Sequence, residues 1–196
     1  MGNSTAYPVL RTTDPAEAYA WAERLRALLA HGEDEVGLYA ELMTAADVRR
    51  MAEVLPGARF HHMEMRTGPA GEYLPFELDP RTADDAALEP HLPLDVQLDV
   101  PTGSAERRFA AAVGRGTAAV DWHGRWPDDP ETGSVGSPKY DGVQIVFHSD
   151  SAQLAPWAGH HTVFVHVGRF GDEEERARKL AEAVGGEVLG EAQLGW

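Results

Sequence analysis

The sequence predicts a single α+β domain over residues 1–196, with a mixed or largely antiparallel sheet and helices packed mainly on one face. Three observations predict it. Short runs alternate apolar and polar residues, most cleanly at Leu94, Val96, Leu98 and Val100 between Asp95, Gln97 and Asp99. Capped helical stripes are interspersed with these runs. The strands alternate instead of running continuously apolar, which favours a sheet with one wet face over a buried parallel one.

The elements follow in order. Asp14 is placed to cap a helix, with Pro15 at its first position and Glu17 as the far half of a capping-box-like pair. Ala18, Trp21, Leu25 and Leu28 share a face, and Gly32 ends the segment. Val36, Leu38, Ala40 and Leu42 form a strand. Thr44 caps a second helix, with Asp47 three residues on and Val48, Met51 and Leu55 as its stripe; Pro56-Gly57 stop it. Residues 58–66 read as a strand, and 71–78 as an edge strand because Pro75 cannot donate to a ladder. Thr82 caps a short helix to Glu89, and Ser104 to Val113 form another around Phe109. Residues 117–122 are extended, and 124–140, with three Pro and three Gly, form an irregular loop. The runs GVQIVFH and HTVFVHV are strands, Asp172 caps a last helix, and 187–189 make a final strand. Residues 36–66 and 162–189 share the order strand, capped helix, stop, strand, which hints at two similar units on one sheet.

Composition limits the function. Asp and Glu number 32 against 17 Lys and Arg, a formal net charge of −15. Phosphate backbones and anionic lipid repel such a surface, so nucleic acid and membrane are not expected partners. Cysteine is absent, no apolar run reaches the length of a membrane span, and the first residues lack the basic and apolar regions of a secretory leader; the expected compartment is the cytoplasm.

Motifs that name a reaction are missing, and no cofactor is expected. The histidine pairs His61-His62 and His160-His161 point to opposite faces of a strand, so neither pair can readily grip one metal. His62 and Glu64 share a face and would be the first residues to consider for a metal with His148 as a further ligand, but their spacing fits no metal motif, and no metal site is expected. Gly133-Ser134-Val135-Gly136 is not a nucleophile elbow, and His148, Asp150 and Ser151 read as a turn. Gly114-Arg115-Gly116 is too short for a phosphate-binding loop.

The remaining feature is local. Trp122 and Trp126 adjoin Asp128, Asp129 and Glu131 in the irregular loop. An exposed indole beside carboxylates would suit a basic, partly apolar partner, with Trp126 as anchor; the competing reading folds both indoles into the core. The sequence therefore points to an acidic protein-binding module, of the kind an immunity or antitoxin-type inhibitor of a basic effector would be. An enzyme or small-molecule binder with an unfamiliar His/carboxylate site is the alternative.

Overall fold

The computed structural model describes residues 4–131 and 133–196. Among these residues nine strands form one sheet: β1 (Ser4–Thr12), β2 (His31–Gly32), β3 (Glu35–Leu42), β4 (Phe60–His62), β5 (Leu94–Pro101), β6 (Ala118–Arg125), β7 (Asp141–Phe147), β8 (His161–Gly168) and β9 (Gln193–Leu194). Five α-helices accompany it: α1 (Pro15–Arg26), α2 (Ala45–Val54), α3 (Asp85–Leu88), α4 (Glu106–Ala112) and α5 (Glu173–Ala183). The strand order is β4-β5-β3-β6-β7-β8-β1-β9, with β2 on β6, and the pairings are antiparallel. The units β3–α2–β4 and β8–α5–β9 lie at opposite ends of the sheet. In each, one antiparallel strand, β5 or β1, is inserted between the two strands that the helix connects.

Period-2 alternation gives the sheet two chemically different faces. On one, Val36, Leu38, Val96, Val120, Ile145 and Val165 meet Leu25 of α1, Met51 of α2, Phe109 of α4 and Ala177 of α5 in a single core. Fully burying each such aliphatic side chain contributes roughly 1.5–3 kcal/mol. Leu94, Val96 and Val100 are buried and Leu98 partly so, while Gln97 and Asp99 face water and Asp95 is half-buried. The opposite face is covered only in part. Ala152 and Leu154, from the loop after β7, close over Ala6, Val146 and Phe164, so β7, β8 and β1 are sheltered on both sides. The same face of β5 and β3 has no such cover, and on β6 Trp196 packs against His123. No helix among the described residues is long and apolar enough to cross a membrane.

Capping follows local chemistry. Thr44 and Asp47 form a full capping box on α2, each side chain bonding the other's backbone N–H. Asp14 caps α1 by accepting from the Ala16 amide at 2.9 Å, but Glu17 takes the Thr12 hydroxyl instead of completing a box. Asp84, not Thr82, caps α3, and Asp172 precedes α5 without a side-chain bond.

Several strand expectations are corrected. Strand β1 has no counterpart among them: Pro8 interrupts its pattern, and the chain accommodates it at a register shift between Pro8 and Leu10. Helix α1 stops at Arg26, and His31–Gly32 pair with β6. The stretch 58–66 contributes only β4, and 71–78 only a single bridge, Thr67 with Tyr73. Residues 187–189 are not a strand; the sheet ends on β9. The irregular loop begins after Arg125, where β6 ends, and its Thr132 lies outside the described residues.

Candidate functional site: an open acidic sheet face

The structure takes both tryptophans out of the surface. Trp126 is fully buried, its Nε1–H donates to the His166 carbonyl at 2.7 Å, and its amide donates to Asp141 Oδ2 at 3.1 Å. Trp122 is 2% exposed, edge-on to Tyr19 with Arg26 over its ring. The expectation of Trp126 as an interface anchor is thereby corrected: core packing and the His166 carbonyl hold the indole inside. The loop carboxylates are paired within the chain. Asp128 pairs with Arg125 at 2.5 Å, while Asp129 and Glu131 share Lys179 of α5 at 2.7 and 2.9 Å. The five residues thus tie the loop to the body of the protein.

The histidines are also placed. His62 Nε2 lies 3.0 Å from His91 Nδ1, whereas Glu64 is exposed and His148 follows β7 far across the sheet. Burial lowers the His62 pKa. His148 donates its amide to His161 Nδ1, and burial pushes His161 down to about 4. Asp150 is held by Arg11 at 2.6 Å, so His148, Asp150 and Ser151 do not assemble a triad. No group of three or more His, Cys, Asp or Glu among the described residues could hold a metal ion.

One buried polar network has hydrolase-like residue types but a structural arrangement. His166 Nε2 lies 3.1 Å from Gln144 Oε1, whose amide nitrogen donates to the Ala152 carbonyl. That direction requires Nε2–H on His166, leaving Nδ1 to face Ser4 Oγ at 3.4 Å, while Ser4 Oγ donates to the Trp196 carbonyl at 3.0 Å. Burial keeps His166 well below its ordinary pKa, and Trp196 stacks on its ring at 3.5 Å. Gln144, Ser4 Oγ and His166 Nε2 are held by bonds within the fold, and the Trp196 stack covers the ring.

The uncovered strands present a different surface. Alternation sends Glu35, Gly37, Tyr39 and Glu41 of β3, Asp95, Gln97 and Asp99 of β5, and Asp121 and His123 of β6 to the same side. Register then sets like charges together. Glu41 is directly opposite Asp95, and Asp99 and Asp121 flank Gly37 from either side. Facing like charges on neighbouring strands are destabilising. Some acids elsewhere pair with cations, as in Asp47–Arg50, Asp85–Arg49, Glu23–Arg107 and Asp150–Arg11. Among the described residues Glu33, Glu35, Glu41, Asp95, Asp99 and Asp121 make no salt bridge.

Burial first, and the neighbouring acids second, shift the titrating groups of this face. Asp121 is pushed up from 3.8 to about 7, chiefly by burial, with the Gln144 hydrogen bond opposing and the Asp99 charge adding. Burial, then Glu41 and Asp95, push Tyr39 up to about 12. Burial raises Asp95 against the pull of His61, and Glu41 raises it further. Sequence reasoning placed Asp95, Gln97 and Asp99 toward water but not in a site. Their signal, acids at alternate positions of separate strands, becomes a cluster only through the pairing register. Comparison with protein-family models, curated proteins and solved structures gives no match, so the site is read from this chain's own geometry.

Proposed function

We propose that this protein is a cytoplasmic binding module that engages a basic protein partner through the open face of β5, β3 and β6, as an immunity or antitoxin-type inhibitor of a basic effector would. The observation that supports this reading is the register that sets acids on neighbouring strands of one open face, Glu41 directly opposite Asp95 and Asp99 and Asp121 on either side of Gly37. Six acidic side chains lie along this face without a salt bridge, and two of them, Glu41 and Asp95, oppose each other across a strand pair. Folding alone gives no reason for that cost, and departures of this kind concentrate at functional sites. A basic surface docking here would relieve the repulsion, and Tyr39 and Gln97 at the centre of the patch supply contact area and hydrogen bonds. Complementary charge of this sort speeds association and excludes acidic competitors, nucleic acid included. The alternative, a small-molecule site of His and carboxylates, has one foothold, the cavity beside Asp121 and His123.

The test uses the full chain as bait in a native-cell lysate, with mass spectrometry of what it retains. The variant Glu35→Gln/Glu41→Gln/Asp95→Asn/Asp99→Asn should lose the basic partner. The control Glu53→Gln/Glu77→Gln/Glu187→Gln/Glu191→Gln, which removes the same charge at exposed positions elsewhere, should keep it. Partner retention by the face variant would overturn the reading.

A further inference from the structure

Helices α1 and α4 pack side by side on the apolar face of the sheet, opposite the acidic face. Ala16, Tyr19, Ala20 and Glu23 fall at i, i+3, i+4 and i+7 of α1, and Arg107, Ala110 and Ala111 at i, i+3 and i+4 of α4. Each helix therefore turns one stripe toward the other. Four alanines leave the space between the stripes unfilled, and a cavity of about 300 Å³ remains, lined also by Pro15 and by the Glu23–Arg107 ion pair at 3.1 Å. An apolar hollow of this size with a few polar groups is the ordinary form of a small-molecule site.

One group in this lining points to a ligand. Tyr19 is 8% exposed, its ring edge-on to Trp122 and the Arg107 guanidinium over its face at 5.5 Å. Buried tyrosine hydroxyls ordinarily find a partner within the protein. That of Tyr19 bonds no group among the described residues, and its oxygen is not sealed, so it opens onto the cavity that Tyr19 lines. Burial first, then Glu23 and Glu106, raise the Tyr19 pKa, so the hydroxyl keeps its proton and offers a donor. Arg107 offers more. Its side chain is 78% exposed, and of its five N–H donors one is engaged, from Nη2 to Glu23. Local charge runs against that of the chain. Helices α1 and α4 carry Arg24, Arg26, Arg107 and Arg108 against Glu17, Glu23 and Glu106, and Glu106 is buried on the Gly103 and Ala105 amides. This small cationic excess, in a protein of net charge −15, admits an anion here.

We propose that the cavity between α1 and α4 binds a small carboxylic acid with an apolar body, the body against the alanines and the carboxylate between the Tyr19 hydroxyl and the Arg107 guanidinium. Each requirement follows from the lining. The alanine side chains offer contact but no hydrogen bond, so the body of the ligand is apolar. Two donors, one of them charged, select an anionic acceptor, and a carboxylate has two oxygens for them. Because the guanidinium stands over the phenol, one carboxylate can meet both donors. Glu23 would draw a cationic head, but Arg26 at 3.9 Å and Arg107 already hold it. The site is separate from the partner-binding reading, because the sheet lies between it and the acidic face.

The experiment titrates the full chain with octanoate at about pH 7.5, following the alanine methyl signals by NMR, with octanol, octylammonium and acetate in parallel. Octanoate should bind with a Kd of about 1 mM and shift Ala16, Ala20, Ala110 and Ala111. Octanol and octylammonium should bind at least about fivefold more weakly, and acetate, which lacks the body, should not bind. Tyr19→Phe keeps the ring and should weaken octanoate binding by about threefold or more. Arg107→Gln should weaken it by about fivefold and leave octanol unchanged. Ala20→Leu/Ala111→Leu fills the cavity from two exposed helical positions and should abolish binding. Should that variant not fold, Arg107→Gln, which changes one exposed side chain, decides in its place. No shift of these methyls at about 10 mM octanoate, or octanol or octylammonium binding as tightly as octanoate, would overturn the proposal. Wild-type affinity in Tyr19→Phe, in Arg107→Gln or in the filled variant would do the same, as would shifts spread over the surface with no preference for the four alanines.

Discussion

Replacing Asp121 by asparagine should stabilise the protein, and the gain should depend on pH in a defined sense. The carboxyl is raised from 3.8 to about 7 in the folded state, mainly by burial. Between those values the native state holds a proton that the unfolded chain has released, so stability falls as pH rises and levels off above about 7. At about 1.36 kcal/mol per pH unit, the displacement caps the penalty at ~4 kcal/mol above neutrality. The amide of the Asp121→Asn variant has no charge to bury and escapes it. The assay is urea denaturation of both proteins at about pH 5.5 and 8.5, which stays clear of the isoelectric point near 4.9. The advantage of the amide should be largest at pH 8.5 and should shrink by about 2 kcal/mol at pH 5.5, where most of the native Asp121 is already protonated. An equal advantage at both pH values would mean that the substitution acts through packing. A loss of stability at pH 8.5 would refute the argument that the carboxylate is held there at a cost.

Trp126→Ala should cost about 3–5 kcal/mol, because it opens a cavity at a fully buried position and leaves the His166 carbonyl without its indole donor. Calorimetry should show a fall in Tm of roughly 10 °C, and the variant should still capture the partner at temperatures where it is folded; lost capture with an unchanged Tm would return the indole to the interface. Gly116→Ala should destabilise by about 2 kcal/mol or more, because a Cβ there runs into the Glu41 carbonyl, which is backbone and has little room to move. Wild-type urea stability in that variant would show that the β3–β6 junction is softer than the close approach implies.

The sequence by itself determined the fold class and most of the strong elements. Strand β5 was legible because Leu94, Val96 and Val100 alternate with polar residues, and one buried face imposes period 2 on any strand. Helix α2 was legible because Thr44 and Asp47 satisfy each other's end groups within a single turn, a contact that needs no distant residue. The net charge of −15 was equally explicit, although its arrangement was not. Tertiary structure decided three matters. It admitted β1 despite Pro8, because β8 and β9 on its two sides pair with the rest of the strand. It placed Trp126 inside, because the carbonyl that receives its N–H belongs to His166, forty residues away. It assembled the acidic face, because Asp99, Gly37 and Asp121 lie on three separate strands and become neighbours only through a register that Leu38, Leu98 and Val120 fix from the apolar side. Local bonds and burial periodicity are written within a few residues, whereas the position of one charge relative to another depends on how the whole sheet pairs.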